Sequence, residues 1–354
     1  MTINGNSILK KTIFVFLMVF GLYYGKDFLM PITIAAILST LFLPLCRKLE
    51  QIHIPRLIAV ILCFLILLSI ISGIIGLLGW QISELNKDII LIKEKAINSF
   101  NVAQAFVLKH FGIDNKDQII LLQKEQPSIT NVMSSLAGTL SEFLSFSILV
   151  SAYFILLLFY RRHIHAFILQ LSSTQHQNEV KTVIADAAKV SQQYLLGLAK
   201  MIVCLWIMYA IGFSILGIKN ALFFAFLCGL LEIVPYIGNI TGTLLTLSMA
   251  IVQGASYPII FGIIITYGTV QFIQGWILEP IILGPQVKIN PLFTILSLII
   301  GQLIWGVAGM FLAIPILAIL KIIFDHFDVL KPIGFLIGDL QKVPKNTKLP
   351  IEPL

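Results

Sequence analysis

Leu222–Gln253 has the sequence LFFAFLCGLLEIVPYIGNITGTLLTLSMAIVQ, and Pro291–Leu320 has the sequence PLFTILSLIIGQLIWGVAGMFLAIPILAIL. Both stretches are mostly apolar, and proline or glycine interrupts each of them near its middle. Backbone that leaves helical geometry at membrane depth is tolerated only where protein or a water-filled cavity covers it, and transporters place solute sites at such breaks. Both stretches are therefore predicted to be broken helices inside a membrane, as in a carrier protein.

The composition is that of an integral membrane protein. Hydrophobic residues make up 58% of the 354 residues and charged residues only 12%, whereas soluble domains have about 25% charged residues. So few charges could not solvate the surface of a soluble protein of this size. The net charge of +7 comes from basic residues at segment ends rather than on one face, so nucleic-acid binding is not expected.

Patterns typical of catalysis and metal binding are missing from the sequence. The four cysteines, at positions 46, 63, 204 and 228, are isolated and lack the paired spacings of a zinc site or a disulfide framework. The chain has no HExxH, no GxSxG and no phosphate-binding glycine loop. We therefore expect no enzymatic activity, no metal and no cofactor.

Six apolar segments accompany the two broken stretches, so the sequence predicts an all-α, polytopic membrane protein with about eight membrane segments. Counted from a cytoplasmic N-terminus, one side of the membrane receives 16 of the 24 Lys and Arg residues. By the positive-inside rule this side is cytoplasmic, and both termini lie on it. The number of basic residues on each side is the same whether a broken stretch crosses the membrane twice or enters and leaves by one face. This number therefore does not distinguish the two geometries. The six segments are Ile13–Gly25, Phe28–Leu45, Leu57–Trp80, Phe143–Tyr160, Met201–Gly217 and Tyr257–Leu278.

This topology divides the chain into five regions. Residues 1–80 are N-terminal transmembrane helices, and residues 81–142 are extracytoplasmic, with apolar residues recurring every three to four positions from Ile89 as in an amphipathic helix. Residues 143–200 combine a transmembrane helix with a cytoplasmic helical connector. Residues 201–325 are the predicted transport unit, and residues 326–354 are a cytoplasmic tail.

The predicted transport unit repeats one hydropathy plan in opposite orientation. Met201–Gln253 contains a long apolar helix followed by a broken hairpin, and Tyr257–Leu320 has the same order. One repeat begins in the cytoplasm and the other outside. Because inverted repeats give carriers inward-open and outward-open states of similar energy, alternating access is expected.

The first broken stretch supplies three candidate solute-binding residues. Pro235 lacks a backbone donor and disfavours helix at the residue before it, and Gly238 permits a turn. Glu232 precedes this break inside an apolar run, where a charge costs about 2.5 to 3.5 kcal/mol, so it is a candidate for solute binding or ion coupling. The alternative for the break is a plain loop between two crossings. The alternative for Glu232 is a carboxylate at the membrane interface that reaches water.

The second cluster offers amides and a further acid. Gln271 and Gln274 lie one turn apart on one helical face, and their side chains can donate to and accept from a polar solute. Gln302 lies at the second break, and Glu279 is a second candidate for ion coupling. Glutamines also serve as hydrogen-bonding contacts between helices, and Glu279 fits an interfacial acid, so these alternatives stay open.

Several motifs along the chain together resemble the autoinducer-2 exporter-like permease family, also called PerM-type. The resemblance implies a bacterial inner-membrane permease that forms homo-oligomers and moves autoinducer-2 or exchanges sodium for protons. Many members have an acid at the place of Gln274, which leaves Glu232 as the coupling acid here. The motifs are Ile54-Pro55-Arg56, Pro235-Tyr236-Ile237-Gly238, Gln271-x-x-Gln274-Gly275, Pro291-Leu292, Gly306-x-x-Gly309 and Ala313-Ile314-Pro315.

The sequence as a whole predicts a permease that moves a small polar solute by alternating access through the bacterial inner membrane. Its partners would be that solute or a cation, the lipid bilayer and further copies of the chain. A cation/proton antiporter, a channel and a non-transporting membrane scaffold are the alternatives.

Overall fold

The computed structural model describes residues 5–86, 129–233, 237–283 and 288–339. Almost all of these residues are helical, which confirms the predicted all-α class for this part of the chain. The helices are α1 (Gly5–Tyr24), α2 (Lys26–Gln51), α3 (Arg56–Asn86), α4 (Ile129–Leu171), α5 (Gln177–Ile215), α6 (Ala221–Leu231), α7 (Ile237–Val252), α8 (Tyr257–Ile273, continued by a π-helix over Gln274–Leu283), α9 (Pro291–His326) and α10 (Lys331–Ile337).

Within the described residues, six helical segments are long and apolar enough to cross a membrane. Helix α6 and the segment Ile240–Val252 of α7 are apolar but shorter. A multi-pass membrane protein is thus confirmed, whereas the count of about eight segments stays a prediction because it depends on how the broken stretches cross. The six are Lys26–Gln51, Arg56–Leu77, Leu144–Leu171, Gln177–Ile215, Tyr257–Leu283 and Pro291–His326.

Two helices are longer than the sequence indicates. The predicted span Phe143–Tyr160 lies inside the 43-residue helix α4, and the predicted connector joins the span after it in the 39-residue helix α5. Neither helix contains a proline that could end it earlier. Most of the predicted extracytoplasmic region, including its amphipathic helix, lies outside the described residues.

The chain forms two compact units. Unit 1 comprises Met1–Arg56, Tyr153–Ala199 and Glu279–Leu354, and unit 2 comprises Leu57–Ala152 and Lys200–Leu278. Helix α5 therefore contributes its first half to unit 1 and its second half to unit 2.

In unit 2, helices α6 and α7 pack together as a hairpin. Gly242 of α7 lies so close to α6 that a Cβ added to it would stand 2.9 Å from the Cα of Cys228. Gly238 at the start of α7 is buried, and a Cβ there would overlap the carbonyl group of Leu231. The glycines thus allow the two short helices to approach at backbone distance.

In unit 1, helix α9 is interrupted at Trp305 (φ −130°, ψ 17°) and Gly306 (φ 61°, ψ −141°). A Cβ on Gly301 would overlap the carbonyl group of Gly309, and a Cβ on Gly309 would overlap the carbonyl group of Gly301. Residues eight apart in a continuous helix are separated by about 12 Å along its axis, so the chain must turn back at residues 305 and 306. The predicted break in Pro291–Leu320 is present, and it produces a helical hairpin.

Candidate functional site

Glu232 follows the last residue of α6, and only 4% of its surface is exposed. Its backbone N–H still donates to the carbonyl of Cys228 at 3.3 Å, so the carboxylate is held at the end of the helix. It lies within an apolar hairpin, where an ionisable side chain marks a functional site by default.

Two glutamines of the next apolar helix bind this carboxylate in series. The side-chain amide of Gln274 donates to Oε1 of Glu232 at 2.6 Å, and the amide of Gln271 donates to Oε1 of Gln274 at 3.0 Å. Gln274 is also buried, with only 3% of its surface exposed. The one-turn spacing that places both amides on one face of α8 therefore also aligns them toward α6.

Tyr209 of α5 extends the hydrogen-bonded series beyond Gln271. Its side chain is fully buried, and its hydroxyl group is hydrogen-bonded to the Gln271 side chain. We call Glu232, Gln274, Gln271 and Tyr209 the carboxylate–amide network. All four residues belong to unit 2.

Further polar groups of unit 2 surround the network. Tyr209, Tyr267 and Cys228 all interact electrostatically with the Glu232 carboxylate. The Cys228 thiol lies 3.7 Å from the hydroxyl of Thr246, which donates to the Gly242 carbonyl at 2.8 Å. Neutral amide, hydroxyl and thiol groups therefore lie around the Glu232 carboxyl group, and such groups can rearrange around a solute or a cation.

The backbone beside the network leaves α-helical geometry at two places. Helix α8 changes to a π-helix at Gln274, and Pro280 inside it has no backbone N–H to donate to an earlier carbonyl. Helix α6 ends beside Glu232, and α7 begins at Ile237. Departures from α-helical geometry such as π-bulges are frequent at functional sites, so this irregular backbone beside the network is consistent with a functional role.

The structure joins three of the predicted site residues by hydrogen bonds. Glu232, Gln271 and Gln274 are joined by hydrogen bonds, and Gly238 lies in the same helical hairpin as Glu232. Pro235 lies outside the described residues. The side chains of Gln302 and Glu279 are exposed, and both residues belong to unit 1.

Sequence reasoning missed Tyr209. A signal was available, because a tyrosine hydroxyl in the middle of an apolar helix usually has a hydrogen-bond partner when it is buried. Nothing in the spacing of the residues indicated that its partner would be Gln271, 62 positions further on.

No group of three or more His, Cys, Asp or Glu side chains that could hold a metal ion occurs in the described ranges. The network itself has one carboxylate, whereas Na⁺ and other hard cations are bound by several oxygen atoms. A cation at this site would therefore also use amide, hydroxyl or backbone oxygens.

A multi-pass helical membrane protein with a buried carboxylate beside broken helices has the architecture of a membrane transporter. Residues 12–328 match the family described as AI-2E family transporter, and the chain belongs to this family. The resemblance seen in the sequence motifs is thereby confirmed.

Relatives of similar length are known from bacteria. The chain is 23% identical to the AI-2 transport protein TqsA of Escherichia coli, over 96% of this chain and 98% of TqsA. It is 26% identical to YueF of Bacillus subtilis, over 83% and 82% of the two chains, and 23% identical to YrrI of the same organism, over 85% and 87%. Both Bacillus proteins have the name "Putative transport protein".

Proposed function

We propose that this protein is a carrier that moves a small polar solute across the bacterial inner membrane by alternating access. The carboxylate–amide network is the proposed solute site, and the protein has no catalytic role. The observation that carries the proposal is the hydrogen-bonded series from Glu232 through Gln274 to Gln271 inside an apolar part of the fold.

The lengths of the short helices support a site at membrane depth. Helix α6 has 11 residues and therefore a length of about 16 Å, against about 30 Å for the hydrocarbon core. A helix of this length reaches about halfway through the bilayer. We propose that α6 and α7 form a re-entrant hairpin whose tip carries Glu232, and that the hairpin in α9 is its counterpart in the inverted repeat.

The chemistry of the network favours a neutral solute with hydroxyl or carbonyl groups. A solute hydroxyl can replace Gln274 as the donor to Glu232, and the released amide can then donate to a solute oxygen. Such an exchange keeps the buried carboxylate hydrogen-bonded in both states, which avoids the penalty of an unsatisfied charge. Because the relative TqsA is named an AI-2 transport protein, autoinducer-2 is the first solute to test.

The proposal also includes the orientation of the chain in the membrane and its assembly with further copies. Basic residues at the segment ends favour cytoplasmic locations for both termini. The family resemblance favours a homo-oligomer.

Transport of labelled autoinducer-2 by the purified protein in proteoliposomes tests the proposal. We expect Glu232→Gln and Gln271→Ala to reduce the flux by about tenfold or more, which corresponds to about 1.4 kcal/mol. The first variant keeps an acceptor oxygen but loses the negative charge that strengthens the hydrogen bond, and the second removes the amide that donates to Gln274. Glu179→Gln and Gln175→Ala repeat the same chemical changes in the region between α4 and the start of α5, and they should leave the flux unchanged. Fluxes that are equal in all four folded variants and the wild type would instead support a non-transporting scaffold.

A cation/proton antiporter is the second candidate, and the buried carboxylate of Glu232 favours it. Vesicles with an imposed pH gradient and no organic solute distinguish the two functions. Sodium movement that depends on the pH gradient and is abolished by Glu232→Gln would establish antiport. Flux of the solute that is independent of sodium and pH would exclude this coupling.

A further inference from the structure

Unit 1 contains a cavity of about 870 Å³ that is separate from the carboxylate–amide network. It is lined by the second half of α2, the last third of α4 and the first half of α5. Six of its lining residues are basic: Arg47, Lys48, Arg161, Arg162, Lys181 and Lys189. We call this the basic cavity.

The charges of the basic cavity do not balance. Glu50 is the one acid among the described residues that line it, and it binds Arg161 at 2.6 Å and Arg162 at 3.0 Å. Arg161 is held firmly, because only 14% of its side chain is exposed and it also donates to the carbonyl of Leu158 at 2.8 Å. The Glu50–Arg161 ion pair is therefore held in one position. The other basic side chains add a surplus of positive charge.

The opposite end of the basic cavity is mostly apolar, and its two polar residues, Ser39 and Thr40, donate their hydroxyl groups to backbone carbonyls of α2 at 2.8 and 2.7 Å. On α2 the lining begins at Ala36 and continues through Leu43 to the charged residues around position 50, which is about 22 Å of helix at 1.5 Å per residue. On α4 the lining begins at Leu157, four residues before Arg161. The cavity thus runs from a surface that suits a hydrocarbon chain to one that suits an anion.

We propose that the basic cavity binds the phosphate headgroup of an anionic phospholipid, with an acyl chain lying along the apolar end. Basic pockets between transmembrane helices recognise anionic headgroups through charge and hydrogen bonding. Arginine suits this role because its planar donors bind phosphate oxygens in pairs. A free phosphate would use the charged end of the cavity but not the apolar end.

Native mass spectrometry of the full-length protein, titrated with phosphatidylglycerol or with phosphatidylcholine, tests the proposal. Both lipids have a phosphate and two acyl chains, but only phosphatidylglycerol has a net negative charge. We expect tighter binding of phosphatidylglycerol, by about tenfold, because several basic side chains contribute to the attraction. Equal binding of the two lipids would overturn the proposal.

A triple variant, Arg47→Gln with Lys48→Gln and Lys181→Gln, removes three basic side chains from the cavity. The matched control, Lys200→Gln with Lys288→Gln and Lys331→Gln, removes three exposed lysines at other places and changes the net charge equally. We expect phosphatidylglycerol binding to weaken about tenfold or more in the cavity variant and to be retained in the control. Equal loss in both variants would show only general attraction to the surface and would contradict the proposal.

Two additional measurements complete the test. Since the three substituted side chains are exposed, folding should persist, and Lys181→Gln alone serves if the triple variant is unstable. Inorganic phosphate at millimolar concentration is the competitor that lacks an acyl chain. If it displaced phosphatidylglycerol completely, the cavity would be a site for free phosphate and the lipid assignment would be wrong.

Discussion

The side-chain amide of Gln274 donates to the carboxylate of Glu232 at 2.6 Å, although the two residues are 42 positions apart in the chain. The bond connects the end of α6 to the point where α8 becomes a π-helix. It holds the buried Glu232 side chain in one position. This pair is the centre of the proposed solute site.

Replacement of Gln274 by leucine should destabilise the protein. The substitution Gln274→Leu removes a hydrogen bond to a buried carboxylate, and we expect the free energy of unfolding to fall by about 1.5 to 3 kcal/mol. The control Gln302→Leu makes the same change at an exposed position, where the effect should stay within about 0.5 kcal/mol. Thermal unfolding of both variants in one detergent measures the difference, and equal shifts would contradict the prediction.

The close approach of Gly301 and Gly309 predicts that alanine is not tolerated there. The added Cβ of Gly301→Ala would overlap the Gly309 carbonyl, so we expect a loss of about 1 to 3 kcal/mol from overpacking. The exposed Gly268 in α8 has no atom within 4 Å of an added Cβ, and Gly268→Ala should stabilise its helix by about 0.5 to 1 kcal/mol. Opposite shifts in the unfolding temperature are expected, and shifts of the same sign would contradict the hairpin.

The indole of Trp305 connects the turn in α9 to the first helix. Its Nε1–H donates to the carbonyl of Leu22 at 2.9 Å. The variant Trp305→Phe retains an aromatic ring and removes this donor, so we expect a loss of about 0.5 to 1.5 kcal/mol. Trp276→Phe is the matched control, because the Trp276 side chain is 75% exposed. Thermal unfolding should separate the two variants, and an equal response would mean that the Trp305 bond contributes nothing.

Glu50 binds two arginines that should differ in their contributions to stability. The Arg161 side chain is 14% exposed and the Arg162 side chain is 70% exposed. We expect Arg161→Gln to lower the free energy of unfolding by about 1 to 3 kcal/mol, since it leaves the mostly buried Glu50 carboxylate poorly paired. Arg162→Gln should change it by less than about 1 kcal/mol, as is usual for exposed ion pairs. Unfolding at low and high salt checks the assignment: only the Arg162 contribution should be strongly screened.

The class of protein and the positions of the breaks could be predicted from the sequence because they depend on local properties. A long apolar run requires a helix in lipid, and proline or glycine weakens that helix wherever it stands. The interruption at Trp305 and Gly306 follows directly from this rule. The lengths of α4 and α5 did not follow from it, because a change in hydropathy shows where a helix leaves the lipid and not where the helix itself ends.

Chain composition and periodicity by themselves determined that this is a multi-pass helical membrane protein, and the residue motifs indicated its family. Only the tertiary structure decided that Glu232, Gln274, Gln271 and Tyr209 form one network, while Gln302 and Glu279 are exposed in the other unit. The physical reason is that hydropathy determines which segments enter the lipid. Because all apolar helices have nearly the same hydropathy, it does not determine which helices pack together. The choice of neighbours depends instead on where glycines let backbones approach and where polar side chains find partners, and both are properties of pairs of helices.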